Sequence, residues 1–176
     1  VETAMEGFEK LRTSITTPTY AVPGNHDSIR MVPRLEAMDI RVLLNESETL
    51  RRGDQRIHLA GIDDAHFYRA EDIGKAVSNT PKGDFAILLS HTPEVYRQAA
   101  EAGFVLMLSG HTHGGQLCLP GSIPIKLEAV LPRSMGAGAW KYRGMNGYTS
   151  VGVGTSILPV RLNCPAEITL HVLRSQ

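Results

Sequence analysis

Cysteine is scarce in this 176-residue chain: Cys118 and Cys164 are the only two. That is too few for a disulfide framework or for the paired cysteines of a zinc ribbon, so both read as free thiols. An excess of one charge is also missing. Eighteen basic residues offset eighteen acidic ones, which argues against a global electrostatic grip on nucleic acid and leaves any anionic partner to a local site. Long apolar runs are absent. The longest, Phe85 to Leu89 and Phe104 to Leu108, fall far short of the ~20 residues needed to cross a bilayer. Val1-Glu2-Thr3 has neither the basic start nor the apolar stretch of a secretory signal.

What is present is an ordinary globular balance, 42% hydrophobic and 20% charged, in a length that suits a single domain over residues 1–176. Helical spacing covers 2–13, 30–38, 71–77 and 94–102. Strands are predicted at Tyr20 to Val22, Arg41 to Leu44, Glu48 to Arg52, Arg56 to Ile62, Asp84 to Leu89, Phe104 to Leu108, Tyr148 to Val153 and Ile168 to Leu173. Gly53-Asp54 turns one strand into the next. Buried strands followed by helices give an α/β layered class with a mixed sheet.

Three of the seven histidines fall in two short runs, Gly24-Asn25-His26-Asp27 and Gly110-His111-Thr112-His113-Gly114-Gly115, and a fourth lies in a third element, Ser90-His91-Thr92. Chance in this composition supplies a His-x-His about 0.3 times but a Gly-Asn-His-Asp only roughly 0.001 times. All three runs directly follow predicted strands, at the carboxyl-terminal edge where open α/β sheets bind ligands. An Asn side-chain oxygen and neutral imidazoles suit Zn, Mn or Fe. The bland reading, hydrogen-bonded loop histidines, fits any one of them taken singly better than it fits the set.

These blocks resemble the last three motifs of the calcineurin-like metallophosphoesterases. The closing segment, Val153-Gly154-Thr155-Ser156 through Arg161-Leu162-Asn163-Cys164-Pro165, resembles their YkuE/YaeI-like bacterial branch. The resemblance implies a four-layer αββα sandwich of two sheets flanked by helices, with two divalent metal ions (Mn, Zn or Fe) at one rim. It implies that Asn25, His91 and His111 ligate one metal and His113 the other. His26 would face the phosphoryl group and assist the leaving group. Two cations on one phosphate neutralise the charge that builds on its oxygens, and an unligated histidine beside them can protonate the departing oxygen.

The family pattern also has an Asp-x-His and a Gly-Asp-x-x-Asp ahead of the Gly-Asn-His block, and neither precedes it here. Those motifs supply the bridging carboxylate, two further ligands and the acid that orients the histidine. The expectation is therefore an N-terminally truncated domain, the carboxyl-terminal part of a longer phosphodiester or pyrophosphate hydrolase, with both metals only partly liganded. The rival expectation is a non-catalytic fragment or pseudoenzyme with at most one weak metal site. Asp63 and Asp64 are expected to hold a turn, with replacement of the bridging carboxylate as the alternative. Asp27 is expected to cap the helix after it.

Residues 118–147 are rich in Gly and Pro and aperiodic, and read as one long loop. Lys126, Arg133, Lys141 and Arg143 face a single acid there, Glu128, with Leu131, Met135, Trp140 and Tyr142 among them. Such a mixture suits a lipid-linked phosphoester substrate or contact with a membrane surface. A soluble domain in a membrane-associated full-length protein is the expected setting.

Overall fold

Successive residues of a strand point to opposite faces. In the computed structural model, which describes residues 1–174, that alternation sorts the side chains into layers. The chain runs through α1 (Glu2–Ser14), β1 (Thr19–Ala21), a 3-10 turn into α2 (Val32–Ala37), β2 (Ile40–Val42), β3 (Glu46–Arg52), β4 (Gln55–Gly61) and α3 (Ile73–Ala76). It continues through β5 (Ala86–Leu89), a 3-10 turn into α4 (Tyr96–Glu101), β6 (Leu106–Ser109), a small hairpin of β7 (Cys118–Leu119) and β8 (Ile123–Pro124), then β9 (Gly138–Tyr142) and β10 (Met145–Thr149).

The main sheet has six strands in the order β3-β4-β5-β6-β10-β9. The central four are parallel, and β3 and β9 are antiparallel edges. In β5, Ala86 and Leu88 point to one face and Ile87 and Leu89 to the other. The first face is covered by Ala76 of α3 and by Tyr96 and Ala99 of α4, with Leu88 and Met107 fully buried beneath them. The second face packs Leu59, Ile87, Leu106 and Leu108 against Tyr20, Val22 and Leu43, which belong to or directly follow the small parallel sheet of β1 and β2. Behind that sheet, Met5 of α1 and Leu35 of α2 close over Ile40 and Val42. The layering is helix, sheet, sheet, helix, the αββα order, with only two strands in the second sheet. Full burial contributes about 1.5–3 kcal/mol for each large apolar side chain.

The expected segment 118–147 is not one loop. It contains β7, β8, β9 and the start of β10, and it contributes core: Met135, Trp140 and Met145 are buried and Leu131 and Tyr142 pack against them. Trp140 lies flat over Gly147, its cross-strand partner, so no Cβ fits there; its Nε1 donates to Thr149 Oγ1 at 2.9 Å. Conversely, no strand forms over 168–173. Ile168, Leu170 and Val172 do alternate, but no neighbouring strand offers a ladder among the described residues and all three are exposed. The strand expected at 148–153 begins earlier, at Met145, where pairing with β6 and β9 begins.

Candidate functional site

The loops after β1, β4, β5 and β6 emerge along one rim of the layered fold and enclose a cleft of about 510 Å³. Asn25, His26, His66, His91, His111 and His113 all line it. Asn25 Oδ1 lies 2.9 Å from His91 Nε2, and His111 Nδ1 lies 3.1 Å from the same nitrogen. His111 Nε2 donates to the Glu128 carbonyl at 2.8 Å. That bond keeps the proton on Nε2 and leaves a lone pair on Nδ1, the arrangement that a metal-ligating histidine usually has. One proton on His91 Nε2 cannot give both contacts a full hydrogen bond. Three electron-pair donors therefore converge on one point, and the donor set suits a divalent cation.

The titration behaviour agrees with that chemistry. Burial, and then the neighbouring His111, push the His91 pKa down to about 4. Burial also lowers His111, with the Glu128 carbonyl opposing it and His66 adding to it. Burial and then Arg161 lower His113. Neutral rings keep lone pairs available for metal near pH 7. His113 Nδ1 is buried without a hydrogen-bond partner, a costly state that a ligated ion would relieve. The loop carrying these residues is strained: His111, His113 and Gln116 have φ of +68°, +51° and +57°, a region L side chains seldom occupy. It is held by buried Gln116, which bonds Ser156 and Leu158, and by Arg161, which reaches the carbonyls of Val151, Gly154 and His113. The buried thiols of Cys118 and Cys164 point at the carbonyls of Gly114 and His113.

Gly24 is required for the assembly. A Cβ there would lie 2.6–2.7 Å from three atoms of the His91 ring. Asp27 does not cap the following turn, because Ser28 Oγ accepts from Arg30 N; the Asp27 carboxylate instead accepts from Gly24 N at 2.8 Å and closes the loop that presents Asn25. His26 is exposed at the mouth of the cleft.

Asp63 and Asp64 serve the turn after β4. Asp63 Oδ1 accepts from Asp64 N, and fully buried Asp64 accepts from the amides of His66, Phe67 and Tyr68. Burial alone would raise the Asp64 pKa, but those amides hold it below the usual range. Both its oxygens are occupied, which leaves it poorly placed as a bridging ligand.

Sequence reasoning missed His66 and Glu94. The His66 ring stands 4.2 Å, centroid to centroid, from that of His111. His66 Nδ1 bonds Glu94 Oε2 at 2.6 Å, and Glu94 also accepts from Val130 N and the Thr92 hydroxyl. Burial opposes ionisation of Glu94, yet these donors, Val130 N foremost, bring its pKa below the ordinary value. His66, Glu94 and His111 each offer a ligand atom within 4.8 Å of the others. The one local signal was Asp64-Ala65-His66, an Asp-x-His placed after a strand.

No protein-family model matches the chain, and no solved structure matches it significantly. Curated relatives do. An uncharacterized metallophosphoesterase of Helicobacter pylori (strain J99) is 32% identical over 182 residues, 93% of this chain and 46% of its own length. Phosphodiesterase YaeI of Escherichia coli (strain K12) is 29% identical over 160 residues, 87% of this chain and 57% of its own. A bovine protein described as a transmembrane protein with metallophosphoesterase domain is 30% identical over 195 residues, 99% of this chain and 42% of its own. The chain spans about half the length of the curated relatives it matches.

Proposed function

We infer, from a chain related to the metallophosphoesterases over most of its length, that it carries part of a metal-dependent phosphoester hydrolase. The observation that bears most weight is the convergence of Asn25 Oδ1, His91 Nε2 and His111 Nδ1. Those three would hold one divalent ion, and His113, with its orphaned nitrogen, would contribute to a second. Zn, Mn and Fe all suit the donors. The ions supply Lewis acidity that neutralises charge on the phosphoryl oxygens. His26, at the open side of the cleft, is placed to give a proton or a charged hydrogen bond to the departing oxygen. The Glu128 carbonyl fixes the His111 tautomer, and the Asp27 carboxylate fixes the loop that carries Asn25 and His26.

The carboxylates lining the cleft, Asp27 and Glu128, are committed to Gly24 N and to Lys126. Neither is free to bridge two ions, so a two-metal centre would need its bridging carboxylate from elsewhere than these two residues. No described helix is long and apolar enough to cross a membrane; membrane association is proposed from the names of relatives such as the bovine protein. A lipid-linked substrate is supported by exposed Ile123, Ile125 and Val130 near Lys126 and Arg133, whereas Trp140, Tyr142 and Met135 belong to the core.

Metal analysis by mass spectrometry beside turnover of a chromogenic phosphodiester tests the reading. His111→Ala should lose metal and any turnover, while His26→Ala should keep its metal and lower turnover about 10²–10⁴-fold. An unchanged metal content in His111→Ala would refute it.

A further inference from the structure

We propose that an exposed apolar face beside the cleft, built on β7, β8 and the segment through Leu162, receives the alkyl chain of an amphiphilic phosphoester whose phosphate sits in the cleft. The proposal rests on the phosphoester reading above and adds the part of the molecule that reads the substrate's tail.

Strand register carries the geometry. In the hairpin, Cys118 pairs with Pro124 and Leu119 with Ile123, and Ile125 N donates to the Leu117 carbonyl at 3.2 Å. On the other side Leu117 forms a parallel bridge with Leu162, and Cys118 N donates to the Leu162 carbonyl at 2.9 Å. Three segments therefore lie side by side and span about 10 Å at the usual strand spacing. Paired residues share a face and alternate residues return to it, which puts Leu117, Leu119, Ile123, Ile125 and Leu162 together. Cys118 and Pro124 fall on the opposite face, where Cys118 is buried and Pro124 packs on Gly115. Leu119, Ile123, Ile125 and Leu162 are 52% to 59% exposed. An apolar cluster left open to water in this way marks a contact surface.

The face runs into the cleft. Leu117 belongs to both, and Ile157 and Leu158 line the cleft beside it. Gln116 holds that second wall through Ser156 and Leu158. Ile157, between them, has φ of +64°, a conformation that a β-branched residue rarely takes, and its side chain gains no burial from it, being 98% exposed. The composition of the face selects a hydrocarbon occupant. It offers leucine and isoleucine alone, without the Trp, Tyr or Arg that anchor protein interfaces. Cations stand at its border for an anionic head group: Arg133 donates to the Pro124 carbonyl, and Lys126 follows Ile125, with Glu128 the acid paired to it. A tail leaving a phosphoryl group in the cleft meets Leu117 and Leu158 first and the hairpin next.

The test is a calorimetric titration of the 176-residue chain with methyl, butyl and octyl phosphate, with and without Zn(II), below the concentrations at which they form micelles. Octyl phosphate should bind about 100-fold more tightly than methyl phosphate, about twofold for each added methylene in one-sided contact. The heat-capacity change should grow more negative as the chain lengthens. Leu119→Ser combined with Ile123→Ser should cut the octyl-to-methyl affinity ratio about 10-fold. Leu11→Ser, also exposed but on α1, should keep that ratio. If methyl phosphate binds and octyl phosphate binds no more tightly, the tail assignment is overturned while the phosphoester reading stands. A ratio unchanged in the double variant overturns it too. A wild-type dimer in sedimentation that the double variant turns into a monomer gives the face to a second copy of the chain, against the proposal. Phosphatidylcholine vesicle binding that the double variant loses, with no effect of chain length in solution, gives it to a bilayer, again against the proposal. A chain that binds none of the three phosphates in either state refutes the phosphoester reading itself.

Discussion

Replacing Gly24 by alanine adds one methyl group on the far side of the candidate metal ligands, and the consequence follows from distances. The new Cβ would sit 2.6 Å from His91 Nδ1 and 2.7 Å from Cε1 and Cγ, where ordinary van der Waals contact begins at 3.4 Å. The ring must retreat by about 0.8 Å or the loop must swing away. Metal–ligand distances tolerate about ±0.2 Å, so either response moves Nε2 out of range of an ion held by Asn25 and His111. We expect Gly24→Ala to weaken Zn(II) affinity at least about 100-fold, read by competition with a chromophoric chelator, while circular dichroism stays native. Gly7, in α1 with nothing within 4 Å of its Cβ position, is the matched control. Gly7→Ala should leave metal binding alone and stabilise the chain by about 0.5–1 kcal/mol through helix propensity. Wild-type affinity in Gly24→Ala would refute the role assigned to His91.

Leu88→Ala, at a fully buried position between α3, α4 and the sheet, should cost about 2–5 kcal/mol in urea unfolding; a loss below 1 kcal/mol would contradict the layering. Asp84 has its pKa lowered by the hydrogen bond from His58 and then by Arg56. Its folded pKa lies below the unfolded value of about 3.9, so its contribution is present above that value and is lost as pH falls through the folded one. Asp84→Asn should therefore flatten the acid limb of the stability profile, and an unchanged limb would exclude the pairing as its cause. If the basic, apolar surface around Lys126 and Arg133 meets anionic lipid, chain binding to phosphatidylserine vesicles should weaken as salt rises. Salt-independent binding would exclude that surface.

The histidine cluster was legible because each block follows an apolar strand, and strand ends in a parallel sheet share one rim. His91 after Leu89 and His111 after Ser109 are neighbours because β5 and β6 are neighbours. His66 was not legible, because its partner Glu94 lies 28 residues away and only the folded sheet aligns the two loops. Asp64 carries an Asp-x-His signature, yet three backbone amides consume it as the turn's anchor. The strand expected at 168–173 failed for the opposite reason: its alternation is regular, but a strand also needs a hydrogen-bonding neighbour. β9 was overlooked since, of its residues, only Trp140 is buried and glycines flank it.

Asn25 and His91 are 66 residues apart, and His91 and His111 are 20 apart. An ion shared by the three, as proposed, would act as a reversible cross-link among loops that the unfolded chain holds apart. Its binding free energy is then also folding free energy. Above the dissociation constant, each tenfold rise in free metal adds about 1.4 kcal/mol to the folded state. On that reading the melting temperature would gauge metal occupancy, and a chelator would lower it without breaking a single contact among the apolar side chains.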